Sequence, residues 1–156
     1  MDKKTLMENA CDLATYSVQI GGGPFGAVIV DEQSNVIGKG HNMVTINNDP
    51  TAHAEIVAIR DACKNLNNFS LENCTIYTSC EPCPMCLSAI YWSRIKHIYY
   101  GNDRKDAQNI GFDDNFIYEE IPKNVENRKI KLEQCNREYA QKSFALWTDK
   151  MDKTEY

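Results

Sequence analysis

The chain has 156 residues, with 17 Lys plus Arg against 22 Asp plus Glu and a formal net charge of -5. That length supports one domain with a substantial core and is short for two, and a composition of 42% hydrophobic and 25% charged residues excludes disorder, collagen-like repeats and coiled coil. The acidic balance lacks the basic excess of a phosphate-tracking surface, so nucleic acid is not an expected partner.

No apolar run approaches the roughly 20 residues that cross a bilayer, so no membrane is expected either. Residues 1–15 mix Lys, Asp and Glu where a signal peptide would be apolar, which makes the cytoplasm the expected address. Seven cysteines stand at 11, 63, 74, 80, 83, 86 and 135, three of them in Cys80-Glu81-Pro82-Cys83-Pro84-Met85-Cys86. An odd number clustered in this way does not suit a secreted disulfide framework; it suits a metal or redox site in a reducing compartment.

Over residues 3–20, Leu6, Ala10, Leu13, Ala14 and Val18 recur at helical spacing, and Gly21-Gly22-Gly23-Pro24 ends the pattern. Residues 26–30 and 36–42 read as strands around the polar stretch Asp31-Glu32-Gln33-Ser34-Asn35, which is of hairpin length, so the sheet is expected to begin antiparallel. After Asn47-Asn48-Asp49-Pro50, the positions Ala52, Ile56, Ile59, Cys63 and Leu66 mark one face of a helix, on which Cys63 simply packs. Residues 74–78 read as a strand, 83–93 as a helix and 97–100 as a strand, a crossover that implies a parallel pair. The polar, turn-rich segment 102–127 has no assignable periodicity. Residues 129–133 are predicted to add a strand, residues 138–150 a helix, and 151–156 a frayed tail.

Chemistry concentrates in His53-Ala54-Glu55 and Pro82-Cys83-Pro84-Met85-Cys86, each at the start of a predicted helix. Cys83 and Cys86, three apart on a first turn, place their sulfurs on one side and can share a tetrahedral ion. His53 supplies a third donor, and a zinc held by one nitrogen and two sulfurs keeps its fourth position for water, as catalytic sites do. His53 and Glu55 are separated by about 200° around a helix. They can share a site only beyond its N-terminal end, where first-turn side chains converge. Two helix N-termini aimed at one point favour thiolate over thiol. Two thiolates nearly neutralise a divalent cation, so water there benefits from a base, and Glu55 is the candidate. The competing C-x2-C-x2-C reading of Cys80, Cys83 and Cys86 as an iron–sulfur run fails because Ile90 stands where the next cysteine belongs. Cys80 then reads as a small packed residue at a strand end.

H-x-E and P-C-x-x-C are each weak alone; together they form the signature of zinc deaminases. With Gly22-Gly23-Pro24-Phe25-Gly26-Ala27-Val28-Ile29-Val30, Asn48-Asp49-Pro50-Thr51-Ala52, Gly111-Phe112-Asp113-Asp114 and the terminal Glu155-Tyr156, the chain resembles the cytidine deaminase-like superfamily of zinc-dependent nucleobase deaminases. Within it, the chain is similar to the group that acts on guanine. The resemblance implies a single domain over residues 1–156, an α/β/α sandwich of three layers around a mixed five-stranded sheet. It further implies hydrolysis of guanine to xanthine and ammonia in purine catabolism, with His53, Cys83 and Cys86 on zinc and Glu55 as proton shuttle. The implied substrate pocket draws on Phe25, Asn42, Ala54, Trp92, Asp114 and Tyr156. Residues 135–156, a C-terminal helix and tail, are expected to cross to a partner subunit in a swapped homodimer.

Asp114 suits the adjacent N1–H and amino donors of guanine, or a proton relay to the leaving amine. Asn42 offers a donor and an acceptor to a purine edge, and Phe25 and Trp92 offer flat surfaces. Read without the resemblance, Phe25 and Trp92 are ordinary core residues, Asn42 stabilises a turn, Asp114 caps a helix and Tyr156 frays. The rival functions are deamination of guanosine, cytosine or another amino-heterocycle, deamination of tRNA adenosine, and a structural zinc module in which Glu55 is incidental.

Overall fold

The Asp2 carboxylate accepts from the Thr5 N–H at 2.8 Å and so starts helix α1 (Lys3–Gln19). Beyond it come β1 (Gly26–Val30), β2 (Val36–His41), α2 (Val44–Asn47), α3 (Ala54–Leu66), β3 (Thr75–Cys80), α4 (Pro84–Trp92), β4 (His97–Asn102), α5 (Arg104–Asn109), α6 (Asp114–Glu120), a 3-10 turn (Val125–Asn127) and α7 (Arg137–Asp149). The computed structural model describes every residue from Met1 to Tyr156. Two units result, Met1–Tyr118 and Glu119–Tyr156.

In the first unit the strands lie in the order β2-β1-β3-β4. β1 pairs antiparallel with β2 and with β3, and β3 pairs parallel with β4, as the hairpin and crossover spacings predict. Alternation divides β1 between two faces. Val28 and Val30 join Leu6 and Ala10 of α1 in one core cluster. Ala27 and Ile29 join Ala54, Ala58 and Ala62 of α3 and Ile90 of α4 in the other. Helices thus cover both faces, and the sheet is mixed.

It has four strands, not five. The expected strand at 129–133 does not form: Ile130 is 83% and Leu132 64% exposed. Alternating apolar residues become a strand only when a second strand takes up their backbone hydrogen bonds, and the elements of the second unit are the end of α6, a 3-10 turn and α7.

One packing detail fixes where α3 begins. A Cβ at Gly38 would lie 2.6 Å from Ala58 O and Ala62 Cβ, and one at Gly40 would run into the backbone of Ala54 and Ala58. Two glycines on β2 facing three alanines spaced by four let helix and strand approach backbone to backbone, which locks the helix along its axis. Gly40→Ala is therefore expected to destabilise the protein by about 1–3 kcal/mol, the usual cost of overpacking. A urea titration should show a lower midpoint at unchanged slope; an unmoved midpoint would refute this close contact.

Candidate metal centre and active site

The strand ends gather the site. Gly26, the first residue of β1, pairs with His41, the last of β2, while Cys80 at the end of β3 pairs with Asn102 at the end of β4. Phe25, Asn42 and the segment 81–83 therefore emerge from one end of the sheet. The Asn42 N–H donates to Phe25 O at 3.0 Å and the Gly26 N–H to Ser79 Oγ at 3.0 Å, which ties the three exits together.

His53 and Cys83 are the N-cap residues of α3 and α4, both with extended backbone. Met43 N–H donates to Ala52 O at 2.9 Å, so β2's exit holds the chain just before His53. In α4, Pro84 occupies the first helical position, where its missing N–H costs nothing. The Cys86 N–H points at Cys83 Sγ at 3.5 Å, so the sulfur takes the place of a capping oxygen.

His53 Nδ1 lies 3.5 Å from Cys83 Sγ and 3.5 Å from Cys86 Sγ, and the three donor atoms fall within 4.8 Å of one another. Zinc–nitrogen bonds of about 2.0 Å and zinc–sulfur bonds of about 2.3 Å at tetrahedral angles put nitrogen and sulfur about 3.5 Å apart. The donor set and its spacing fit zinc.

The electrostatics also call for a cation. The hydrogen bond from Cys86 holds the Cys83 thiol down at about 4 against the opposing effect of burial, with His53 adding to the depression. The bond to Cys83 and burial push Cys86 upward. Two thiolates side by side in a buried corner cannot both ionise without a positive charge between them. Cys80 is different: burial and the nearby Asp114, Glu55 and Glu81 push it up to about 12, and it stands outside the three-donor cluster as a buried thiol at the strand end.

Glu55 is 8% exposed, and burial pushes its carboxyl above the ordinary value. Together with His53, Cys83, Phe25, Asn42 and Asp114 it lines a cavity of about 270 Å³. Convergence beyond the helix tip, which the 200° separation of His53 and Glu55 demands, is what the structure shows. Burial likewise raises Asp114, as does the charge of Cys83. Asn42 Oδ1 accepts from Gly23 N–H at 3.4 Å and Val44 N–H at 3.2 Å. The residue therefore holds a turn and faces the cavity at once.

Phe25 also has both roles, packing on the core cluster and lining the cavity, with its ring 4.9 Å edge-on from Phe112. Ala54, 1% exposed, is the first residue of α3, between His53 and Glu55. Asp113, not Asp114, makes the capping contact, accepting from Phe116 N–H at 3.2 Å. Trp92 is not a core residue: it ends α4, 65% exposed, outside the cavity lining. Tyr156 belongs to the second unit.

Sequence reasoning missed Glu81, Phe112, Thr45 and Pro50, all in the lining. Glu81 sits within the cysteine motif and Phe112 beside Asp114, so adjacency was the available signal for these two.

Residues 1–102 match the cytidine and deoxycytidylate deaminase zinc-binding region. The chain belongs to that zinc-binding deaminase family. It is 49% identical to guanine deaminase of Bacillus subtilis over the full length of both chains. The X-ray structure of guanine deaminase from Bacillus subtilis superposes with a TM-score of 0.96, covering 100% of this chain and 99% of that one. A structure of guanine deaminase from Nitrosomonas europaea gives a TM-score of 0.69 at 30% identity, covering 72% and 65%. The tRNA-specific adenosine deaminase of Haemophilus influenzae is 47% identical over 62% of this chain and 56% of its own length. The matched zinc-binding region contains His53, Cys83 and Cys86, the three residues whose donor atoms are placed to hold an ion. No helix is long and apolar enough to cross a membrane.

Proposed function

We propose that this deaminase hydrolyses guanine to xanthine and ammonia in the cytoplasm, as a step of purine catabolism. The observation that carries the reading is the end-to-end match to a guanine deaminase, which includes residues 119–156, where two tRNA-specific adenosine deaminases match 62% and 84% of the chain.

His53, Cys83 and Cys86 hold the zinc, which when bound supplies Lewis-acid activation of a water molecule. Glu55, buried beside the donors, takes one proton from the attacking water and gives it to a ring nitrogen, where it stays, then moves the second from the resulting hydroxyl to the departing amine as the carbonyl forms and the C–N bond breaks. Because Asn42 Oδ1 is engaged by two backbone N–H groups, its Nδ2 is the face it turns to acceptors of the purine. The Asp114 carboxylate is complementary to the N1–H and amino donors of guanine, and Phe25 supplies a flat wall. Ala54 contributes backbone next to Glu55.

The decisive test is ammonia release from guanine, guanosine, cytosine and adenosine-containing tRNA. Guanine is expected to be preferred. Preference for guanosine or cytosine would overturn the substrate assignment. A tRNA gel shift at low salt would favour the second reading, for which the acidic net charge of -5 is the opposing observation.

The reading extends to a homodimer in which residues 135–156 are exchanged, so that residues 1–156 act as one catalytic domain completed by its partner. Its support is the apolar surface on the second unit: Tyr139, Phe144 and Leu146 of α7 are each at least 66% exposed, and concentrated exposed apolar surface marks an interaction site. Trp92 and Tyr156 then contribute to substrate binding in the assembled dimer. Deleting residues 153–156 is expected to impair kcat/KM more than thermal stability, and intact kinetics would remove the tail from the site.

A further inference from the structure

Four groups around the metal loop form a connected set that the chemistry above does not use. Arg104, the first residue of α5, places Nε 2.8 Å from Glu81 Oε2, and its backbone N–H points at Glu81 Oε1 at 3.4 Å. Its guanidinium carbon sits 4.2 Å from the ring centre of Tyr118 on α6. The Tyr118 hydroxyl in turn donates to Pro82 O at 2.7 Å, one residue before the zinc donor Cys83. Tyr118 stands four residues after Asp114, on the same face of α6.

We propose that Arg104, Glu81 and Tyr118 are positioning residues: a latch that fastens α6 to the metal loop and so sets Asp114 at its working distance from the zinc donors. The physical need is plain. α6 has no buried residue and Asp113 makes its first-turn contact, so little apolar packing fixes this short helix. Phe112 and Asp114, however, both line the cavity. An ion pair stacked on an aromatic ring is directional where apolar contact is not, because the planar guanidinium forks to the carboxylate while its face lies on the ring. The Glu81 carboxylate also lines the cavity. Held by Arg104, it presents less negative charge to a substrate than a lone carboxylate would.

The latch rests on the guanine deaminase reading for its kinetic consequence but not for its mechanical one, and the experiment reads both. Arg104→Met and Tyr118→Phe are prepared with zinc and compared with the parent for guanine kinetics and for amide hydrogen exchange of the segment 110–118. Both variants should speed exchange in that segment and leave α1 and β1 protected, with zinc content unchanged. A displacement near 1 Å costs up to about 100-fold in rate, so kcat/KM is expected to fall about 10- to 100-fold. Arg104→Lys should recover part of the loss. In an Asp114→Asn background the further penalty of Arg104→Met should shrink to less than about 2-fold, since the group being positioned is gone. Unchanged exchange in residues 110–118 overturns the latch whatever the substrate is. A full Arg104→Met penalty in the Asp114→Asn background overturns its action through Asp114. If the parent does not turn over guanine at all, the function reading falls while the exchange result still decides the latch.

Discussion

Glu55→Gln is expected to reduce guanine turnover by at least about 100-fold, the lower end for a positioned acid–base group, while zinc stays bound. Glutamine keeps the shape and burial of the side chain and loses the ability to hold and release a proton. Burial pushes the Glu55 carboxyl up from its ordinary value of 4.5, so in the metal-free protein the folded state holds that proton more tightly than the unfolded one. Stability therefore declines as pH rises above 4.5 toward the folded value, and at neutral pH burial of this carboxyl is a cost that glutamine removes. Metal-free Glu55→Gln should accordingly melt no lower than the metal-free parent at pH 7. Metal analysis, steady-state kinetics and calorimetry on one preparation check all three statements. Retained turnover would take Glu55 out of the mechanism and favour a structural zinc module.

Removing the metal is expected to abolish activity and to lower the melting temperature, both restored by zinc. At free zinc about 1,000-fold above its dissociation constant, binding contributes about 4 kcal/mol, which for a chain of this size corresponds to a shift on the order of 10 °C. In the metal-free site the two sulfurs share a single negative charge, resting on Cys83, whose thiol is held at about 4, while Cys86 keeps its proton. The hydrogen bond to Cys83 also raises the His53 imidazole above its ordinary value, so zinc uptake near pH 7 should release the Cys86 proton and part of a second from His53, and zinc affinity should weaken as pH falls. Titration calorimetry in buffers of different ionisation enthalpy measures that release. A chelated protein that remains fully active, or zinc uptake without proton release, would contradict this description.

Much of the site was legible because it rests on local geometry. His53 and Cys83 fall at helix N-caps where turn residues and helical periodicity placed helix starts, and a spacing of three brings Cys83 and Cys86 together. Pairing of β1 with β2 and of β3 with β4 followed from loop lengths. What sequence could not give was the outcome of pairing and burial at a distance. Residues 129–133 alternate like a strand, yet Ile130 and Leu132 stay exposed because alternation names a face without supplying a neighbour. Trp92 looked like core by its size and lies exposed at the end of α4. The polar segment after β4 hides α5 and α6 because neither helix has an apolar stripe; a capping box at Asp103 and Asp106 starts the first, and side-chain contacts with the metal loop hold the second. Glu81, paired with Arg104, and Phe112, edge-on to Phe25, line the cavity through contacts that no periodicity encodes.

Zinc-edge X-ray absorption on the purified protein tests the coordination most directly. Two sulfur scatterers and two nitrogen or oxygen scatterers are expected, one of the light atoms from His53 and the other exchangeable with solvent or inhibitor, and Cys86→Ser should lose one sulfur. Three or more sulfurs, or a light-atom shell that no small ligand perturbs, would mean a sealed ion, and the catalytic role assigned to this corner of the fold would be wrong.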